Sequence, residues 1–158
     1  MRWPVASLGP LRRARVLAMS VPGAAWAEDV LDAPFDAVWT WLTDLEVSVP
    51  RFDSQVDALR VRDRWTEGDA QRLRITASSM GVRIPFDVRL EEGFCIMKAA
   101  ASLYVVVMAA EPEDGGRSTR YFHLEGVPLP GARMLRRYIQ RGVDADLRNL
   151  ARLARQGF

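Results

Sequence analysis

His123 is the only histidine of the chain, and it lies in the alternating stretch RSTRYFHLE at 117–125. With Arg120 pointing outward in such a strand, Tyr121 and His123 point inward. An imidazole titrates near neutrality, so His123 could act as a general acid or base, or donate one hydrogen bond to a structural partner. Arg74 and Tyr104 could polarise a carbonyl or an enolate. These three are the candidate catalytic residues. Glu125 and Asp87 could serve as carboxylate bases. Cys95 is the only cysteine, with no activating base beside it, and reads as a buried structural thiol. A single cysteine excludes an intramolecular disulfide and a multi-cysteine metal site. With one histidine, a zinc site would have to be mostly carboxylate, which is uncommon. No metal and no cofactor is therefore expected. Phosphate loops, nucleotide-binding fingerprints and nucleophile elbows are absent.

The chain around these residues has 158 positions, 49% of them hydrophobic and 27% charged, with a formal net charge of +2. That length suits one domain with a substantial core, and the composition argues against wholesale disorder. Lys98 is the only lysine. The abundance of Ala, Arg, Val and Leu reads as a bacterial-type coding bias. No concentrated basic stripe marks a nucleic-acid surface. The arginine-rich face of the last helix could meet an acidic partner or an anionic membrane, but such faces are most often solvated. No apolar run approaches the roughly 18 residues of a membrane-spanning helix. A cytoplasmic protein is expected, with weak homodimerisation left open.

Arg12 and Arg13 precede VLAMSVPGAAWAED, and Ala25-Trp26-Ala27 resembles a small-x-small cleavage site. The apolar stretch is short and carries Pro22 and Gly23, and cleavage after Ala27 would cut the first strand. Residues 1–24 are therefore expected to form a flexible extension, with Met19 an alternative start. Residues 25–158 form the domain.

Residues 25–33 read as a first strand. Pro34 opens a helix over 34–45, with Phe35, Val38, Trp39 and Leu42 at helical spacing. Residues 46–54, which contain Pro50, read as a second, broken helix or a loop. The period then becomes two. Residues 56–65, 70–78 and 82–91 alternate apolar with polar or charged side chains, as strands with one buried and one wet face do. Segments 94–101 and 103–111 are apolar on both sides, and form two strands or one long bent strand. PEDGG at 112–116 is a hairpin turn, and 117–125 is the last strand. GVPLPG at 126–131 leads into a long helix over 131–156. Met134, Leu135, Tyr138, Ile139, Gly142 or Val143, Leu147, Leu150 and Leu153 mark its apolar stripe.

This order, and three motifs within it, resemble the START-like helix-grip (SRPBCC) superfamily, in particular its polyketide cyclase/dehydrase and lipid-transport branch. The opening VLDAPFDAVWTWLTDLE is similar to that family's Ala-Pro pair followed by a Val-Trp-x-x-Leu-x-Asp helix, here Ala33, Pro34, Val38, Trp39, Leu42 and Asp44. PEDGGRSTR at 112–120 resembles the turn before its last strand, and PLPG its linker into the C-terminal helix. The chain departs from the family's Pro-x-Trp at the cavity mouth; it has Val49-Pro50-Arg51-Phe52, which places Phe52 in that role.

The resemblance implies an α+β helix-grip fold. A curved antiparallel sheet of six or seven strands wraps around the long C-terminal helix, with two short helices after the first strand. It also implies a hydrophobic ligand, lipid or polyketide-like, held in a cavity between sheet and helix. The alternation makes Leu73, Ile75, Ile84, Phe86, Val88, Met97, Tyr104, Met108, Tyr121 and His123 the candidate lining, with Phe52 at the mouth and Tyr138 and Gly142 facing them from the helix. Two alternatives stand beside ligand binding. One is a cyclase or dehydratase using the polar lining residues; the other is an interaction protein with a closed cavity.

Overall fold

The computed structural model describes residues 7–158. In chain order these form helix α1 (Pro10–Ser20), strand β1 (Ala25–Leu31) and helices α2 (Phe35–Thr43) and α3 (Leu45–Phe52). Six strands follow: β2 (Ala58–Glu67), β3 (Ala70–Ser79), β4 (Val82–Glu91), β5 (Phe94–Ala99), β6 (Val105–Glu113) and β7 (Ser118–Gly126). Helix α4 (Arg136–Gln156) closes the fold. All neighbouring strands pair antiparallel in the order β1-β7-β6-β5-β4-β3-β2. The architecture is the expected α+β helix-grip, with seven strands.

Pro34 stands in extended backbone immediately before α2, where its fixed φ and missing N–H cost the helix nothing. Val38, Trp39 and Leu42 turn inward at helical spacing. Residues 45–52 are helical despite Pro50, and the Asp53 N–H to Val49 carbonyl bond of 2.9 Å closes the last turn. Segment 94–111 resolves into two strands, joined by a turn in which Ala101 takes φ 60°.

The alternation of β3 through β7 places Leu73, Ile75, Val88, Leu90, Met97 and Met108 on one face, where they pack against α2, α3 and the Leu147–Leu150–Leu153 stripe of α4. A second core lies on the opposite face. Phe94, Val105, Val107, Ala109, Phe122 and Leu124 pack there against Leu11 and Ala14 of α1.

This second core departs from the expectation of a flexible extension over residues 1–24, of which 1–6 lie outside the described residues. Helix α1 covers the outer face of β6 and β7. Arg13 pairs with Glu91 and Arg15 with Glu28, and the Leu11 N–H donates to Glu111 Oε1 at 3.1 Å. The covering helix explains why residues 94–110 are apolar on both sides. Gly93 at the β4–β5 turn has φ 72°, and a Cβ there would meet the Ala110 carbonyl at 2.7 Å and Pro10 of α1 at 2.9 Å.

Two further expectations are corrected. The α-helical part of the C-terminal helix begins at Arg136, after a 3-10 turn over Ala132–Leu135, so Met134, Leu135 and Tyr138 lie exposed rather than on the core stripe. Helix α4 packs on β1, β7 and α3 and leaves the tip of the β3–β4 hairpin uncovered, so Met80, Val82 and Ile84 are exposed there. No described helix is long and apolar enough to cross a membrane.

Candidate functional site

Strand β7 pairs on both sides, with β1 and β6, so its backbone is fixed across its length. The two-residue period puts Tyr121, His123 and Glu125 on the inner face, and all three are buried. They form one hydrogen-bonded line. The Tyr121 hydroxyl meets His123 Nδ1 at 2.9 Å, and His123 Nε2 meets Glu125 Oε1 at 2.9 Å. Glu125 Oε2 accepts from the Tyr104 hydroxyl. Tyr104 precedes β6, and the turn at 100–103 delivers it to the same place. The ring of Phe52 meets the His123 ring edge-on, with centroids 5.9 Å apart.

Helix α4 supplies the facing group. Asp146 is 2% exposed and sits on the apolar stripe between Val143 and Leu147. Its Oδ1 accepts from the Ser54 N–H at 3.1 Å. One ligand-type atom from each of His123, Glu125 and Asp146 lies within 4.8 Å of the other two. Asp53, at the end of α3, stands near enough that its charge acts on Asp146.

The electrostatics follow from burial and from these partners. Burial disfavours a charge on His123, but the hydrogen bond and charge of Glu125 outweigh it and raise the imidazole above its usual range. Burial likewise opposes charge on Glu125, and the bond to His123 overcomes it and holds the carboxyl low. For Asp146 the balance falls the other way: burial, and then the charge of Asp53, outweigh the nearby charge of His123 and the Ser54 N–H and push its carboxyl up to about 7. Burial followed by Glu125 raises Asp53. Burial raises the phenols of Tyr104 and Tyr121, with Glu125 and Asp146 respectively adding to it. Cys95 is pushed by burial to about 12, which leaves it an inert thiol.

Of the sequence candidates, the structure brings Phe52, Tyr104, Tyr121 and His123 together. Met108 stands opposite His123 in the β6–β7 register. Leu73, Ile75, Val88 and Met97 are buried in the apolar part of the same core, and Phe86 is half-buried beside them. Arg74 falls on the outer face with its side chain 65% exposed, 3.8 Å from both Asp63 and Asp87. Neither Arg74 nor Asp87 belongs to the inner cluster. Ile84 and Tyr138 are exposed, so neither lines an interior wall. Gly142 is half-buried and lies under Gln55, whose Nε2 would be 3.2 Å from an added Cβ.

Asp53 and Asp146 were not anticipated. For Asp146 a signal existed: a carboxylate on the apolar stripe of an amphipathic helix is a buried charge that needs a reason. Two surface clefts open elsewhere. One is lined by Trp39, Thr43, Arg64, Asp69 and Gln71, and the other by Asp32, Pro34, Ala37, Ala154 and Phe158; neither is lined by the cluster.

No family model matches the chain, and no curated protein matches it in sequence. Solved structures do match it in fold. An 18 kDa protein from Caulobacter crescentus superposes with a TM-score of 0.66 at 15% identity, covering 84% of this chain and 96% of that one. A START superfamily protein from Mycobacterium smegmatis gives 0.61 at 15% identity, covering 84% and 97%. The Zhui aromatase/cyclase from a Streptomyces species gives 0.58 at 16% identity, covering 84% and 93%. The chain has the START-like helix-grip fold.

Proposed function

We propose that this chain binds a hydrophobic small molecule, lipid or polyketide-like, between the inner face of the sheet and α4, with the ligand's polar group held by the His123 cluster. One observation carries the reading. A line of four polar side chains, Tyr121, His123, Glu125 and Tyr104, is built into an otherwise apolar core, with Asp146 facing it. Burying polar and charged groups is costly, and an apolar wall with a few convergent polar groups is the usual character of a ligand site. The fold, shared with a START superfamily protein and an aromatase/cyclase, supports the same reading. Uptake would pass beside the end of α3, where Gln55 covers Gly142 of α4 and Asp53 is half-exposed.

Native mass spectrometry of the purified protein, before and after solvent extraction, tests this. The expected result is a small molecule lost on extraction and regained on incubation with a long-chain fatty acid or an aromatic polyketide. Unchanged masses, together with no uptake of either compound, would remove the reading.

The convergence of His123 and Tyr104 on one carboxylate favours a second reading, a cyclase or dehydratase that moves a proton at an enolisable carbonyl. Cyclisation of a poly-β-ketone, followed by absorbance, is then abolished in His123→Ala and sharply reduced in Tyr104→Phe. Turnover that survives both substitutions removes this second reading.

A further inference from the structure

We propose that His123, Glu125 and Asp146 hold a divalent first-row metal ion. This inference does not depend on the ligand-binding reading. It departs from the expectation, drawn from the cysteine and histidine counts, that the protein carries no metal.

Three observations point to it. The first is the donor set: one imidazole and two carboxylates, from β7 and α4, offer one ligand-type atom each within 4.8 Å of one another. All three residues are buried. Imidazole with carboxylates suits Zn²⁺, Fe²⁺ or Mn²⁺ better than Ca²⁺ or Mg²⁺, which favour all-oxygen shells.

The second is the arrangement behind the donors. Metal ligands are held from behind by partners on their far atoms. Here Tyr121 holds His123 Nδ1 at 2.9 Å, Tyr104 holds Glu125 Oε2, and the Ser54 N–H holds Asp146 Oδ1 at 3.1 Å. That leaves His123 Nε2 and Glu125 Oε1, which meet at 2.9 Å, within 4.8 Å of a carboxylate oxygen of Asp146.

The third is charge. Glu125 is paired with His123, while Asp146 and the neighbouring Asp53 have no arginine or lysine partner among the described residues. One imidazole thus stands against three carboxylates, and a bound cation would offset that balance. A divalent ion would replace the proton between His123 and Glu125 and neutralise Asp146. The half-exposed Tyr104 and Asp53 mark the way in from solvent, and three protein donors leave a position open for water or for a ligand's oxygen.

The single histidine makes the test specific. Tag-free full-length protein is stripped with a chelator and titrated with Zn²⁺, Mn²⁺ and Co²⁺ by calorimetry. The expected result is one ion per chain, with visible Co²⁺ absorption and ¹⁴N coupling in pulsed EPR of bound Mn²⁺, which only His123 can supply as an imidazole. Asp146→Asn, which keeps the size of the side chain, weakens Zn²⁺ binding by about 100-fold or more, and Tyr104→Phe, acting through Glu125, weakens it by about 10-fold. Both variants are checked for folding by circular dichroism. No stoichiometric binding by the folded wild-type protein overturns the proposal. So does undiminished affinity in folded Asp146→Asn, or bound Mn²⁺ without nitrogen coupling. Ligand loss on extraction, read by mass spectrometry in metal-free protein, stands or falls separately.

Discussion

Asp146 of α4 and His123 of β7 bring ligand-type atoms within 4.8 Å of each other inside the protein, from the two layers that the fold packs together. Burial and the charge of Asp53 disfavour the Asp146 carboxylate there, and the charge of His123 offsets them only in part. An uncompensated buried charge destabilises. In metal-free protein, Asp146→Asn removes the charge and keeps the oxygen that accepts from Ser54. Thermal unfolding of the two proteins in chelator at pH 8 is expected to show the variant melting higher by about 2–4 °C, equivalent to about 1 kcal/mol for a domain of this size. A lower melting temperature would mean that the charge is already compensated.

Tyr121 and Arg74 separate the inner face from the outer. The Tyr121 hydroxyl is buried and bonded to His123. Tyr121→Phe keeps the ring and leaves one side of the imidazole without its partner, at a cost of about 1–3 kcal/mol. Arg74 is exposed and lies 3.8 Å from its acidic neighbours. Arg74→Ala is expected to change stability by less than about 0.5 kcal/mol and to leave ligand uptake unchanged. Urea midpoints at equal m-value distinguish the two. Equal losses would mean that Arg74 has a role its position does not suggest.

The parts of this arrangement legible in the sequence are those set by local period. A strand with one wet face declares its phase: alternation turns Leu73, Ile75 and Val88 inward, Arg120 sets the phase of Tyr121 and His123, and all five are buried. Ile84 has the right phase but lies beyond the cover of α4, and helix placement is not a local property. Tyr104 reaches Glu125 only because the turn at 100–103 ends where it does. Helix α1 is faint in the sequence because its own pattern is weak, with only Leu11 and Ala14 buried. Its trace lay in its partners: β5 and β6 are apolar on both faces, and a sheet buried on both faces needs two covers.

The attachment of α1 is expected to be acid-sensitive. A hydrogen bond from Arg15 outweighs burial and holds the Glu28 carboxyl below its usual range, and Arg13 does the same for Glu91. A carboxyl depressed in the folded state stabilises it above the unfolded pKa, and that contribution is lost as pH falls through the folded one. These pairs are partly exposed, so salt weakens them as well. Hydrogen exchange at pH 7 and below pH 4, corrected for intrinsic rates, should show α1 losing protection before β7 does. Simultaneous loss in both would make α1 part of the global unfolding unit.

The apolar face beneath α1 gives the sharpest consequence. Leu11 and Ala14 cover Phe94, Val107, Phe122 and Leu124, which would otherwise meet water on strands β5–β7. Leu11→Arg drives a charge into that contact. The loss of one buried leucine is about 1.5–3 kcal/mol, and the desolvated guanidinium adds to it, so α1 is expected to detach rather than accommodate the arginine. The inner core, which holds the His123 cluster, shares no side chain with this outer one among the residues named in either. Detachment should therefore expose an apolar patch without melting the sheet. The variant is expected to bind 1-anilinonaphthalene-8-sulfonate and to self-associate in light scattering, while keeping its β-sheet circular dichroism and its metal or ligand stoichiometry. A variant that stays monomeric, dark to the dye and fully stable would show that α1 contributes little to covering the sheet. One that unfolds altogether would show that the two cores form a single cooperative unit.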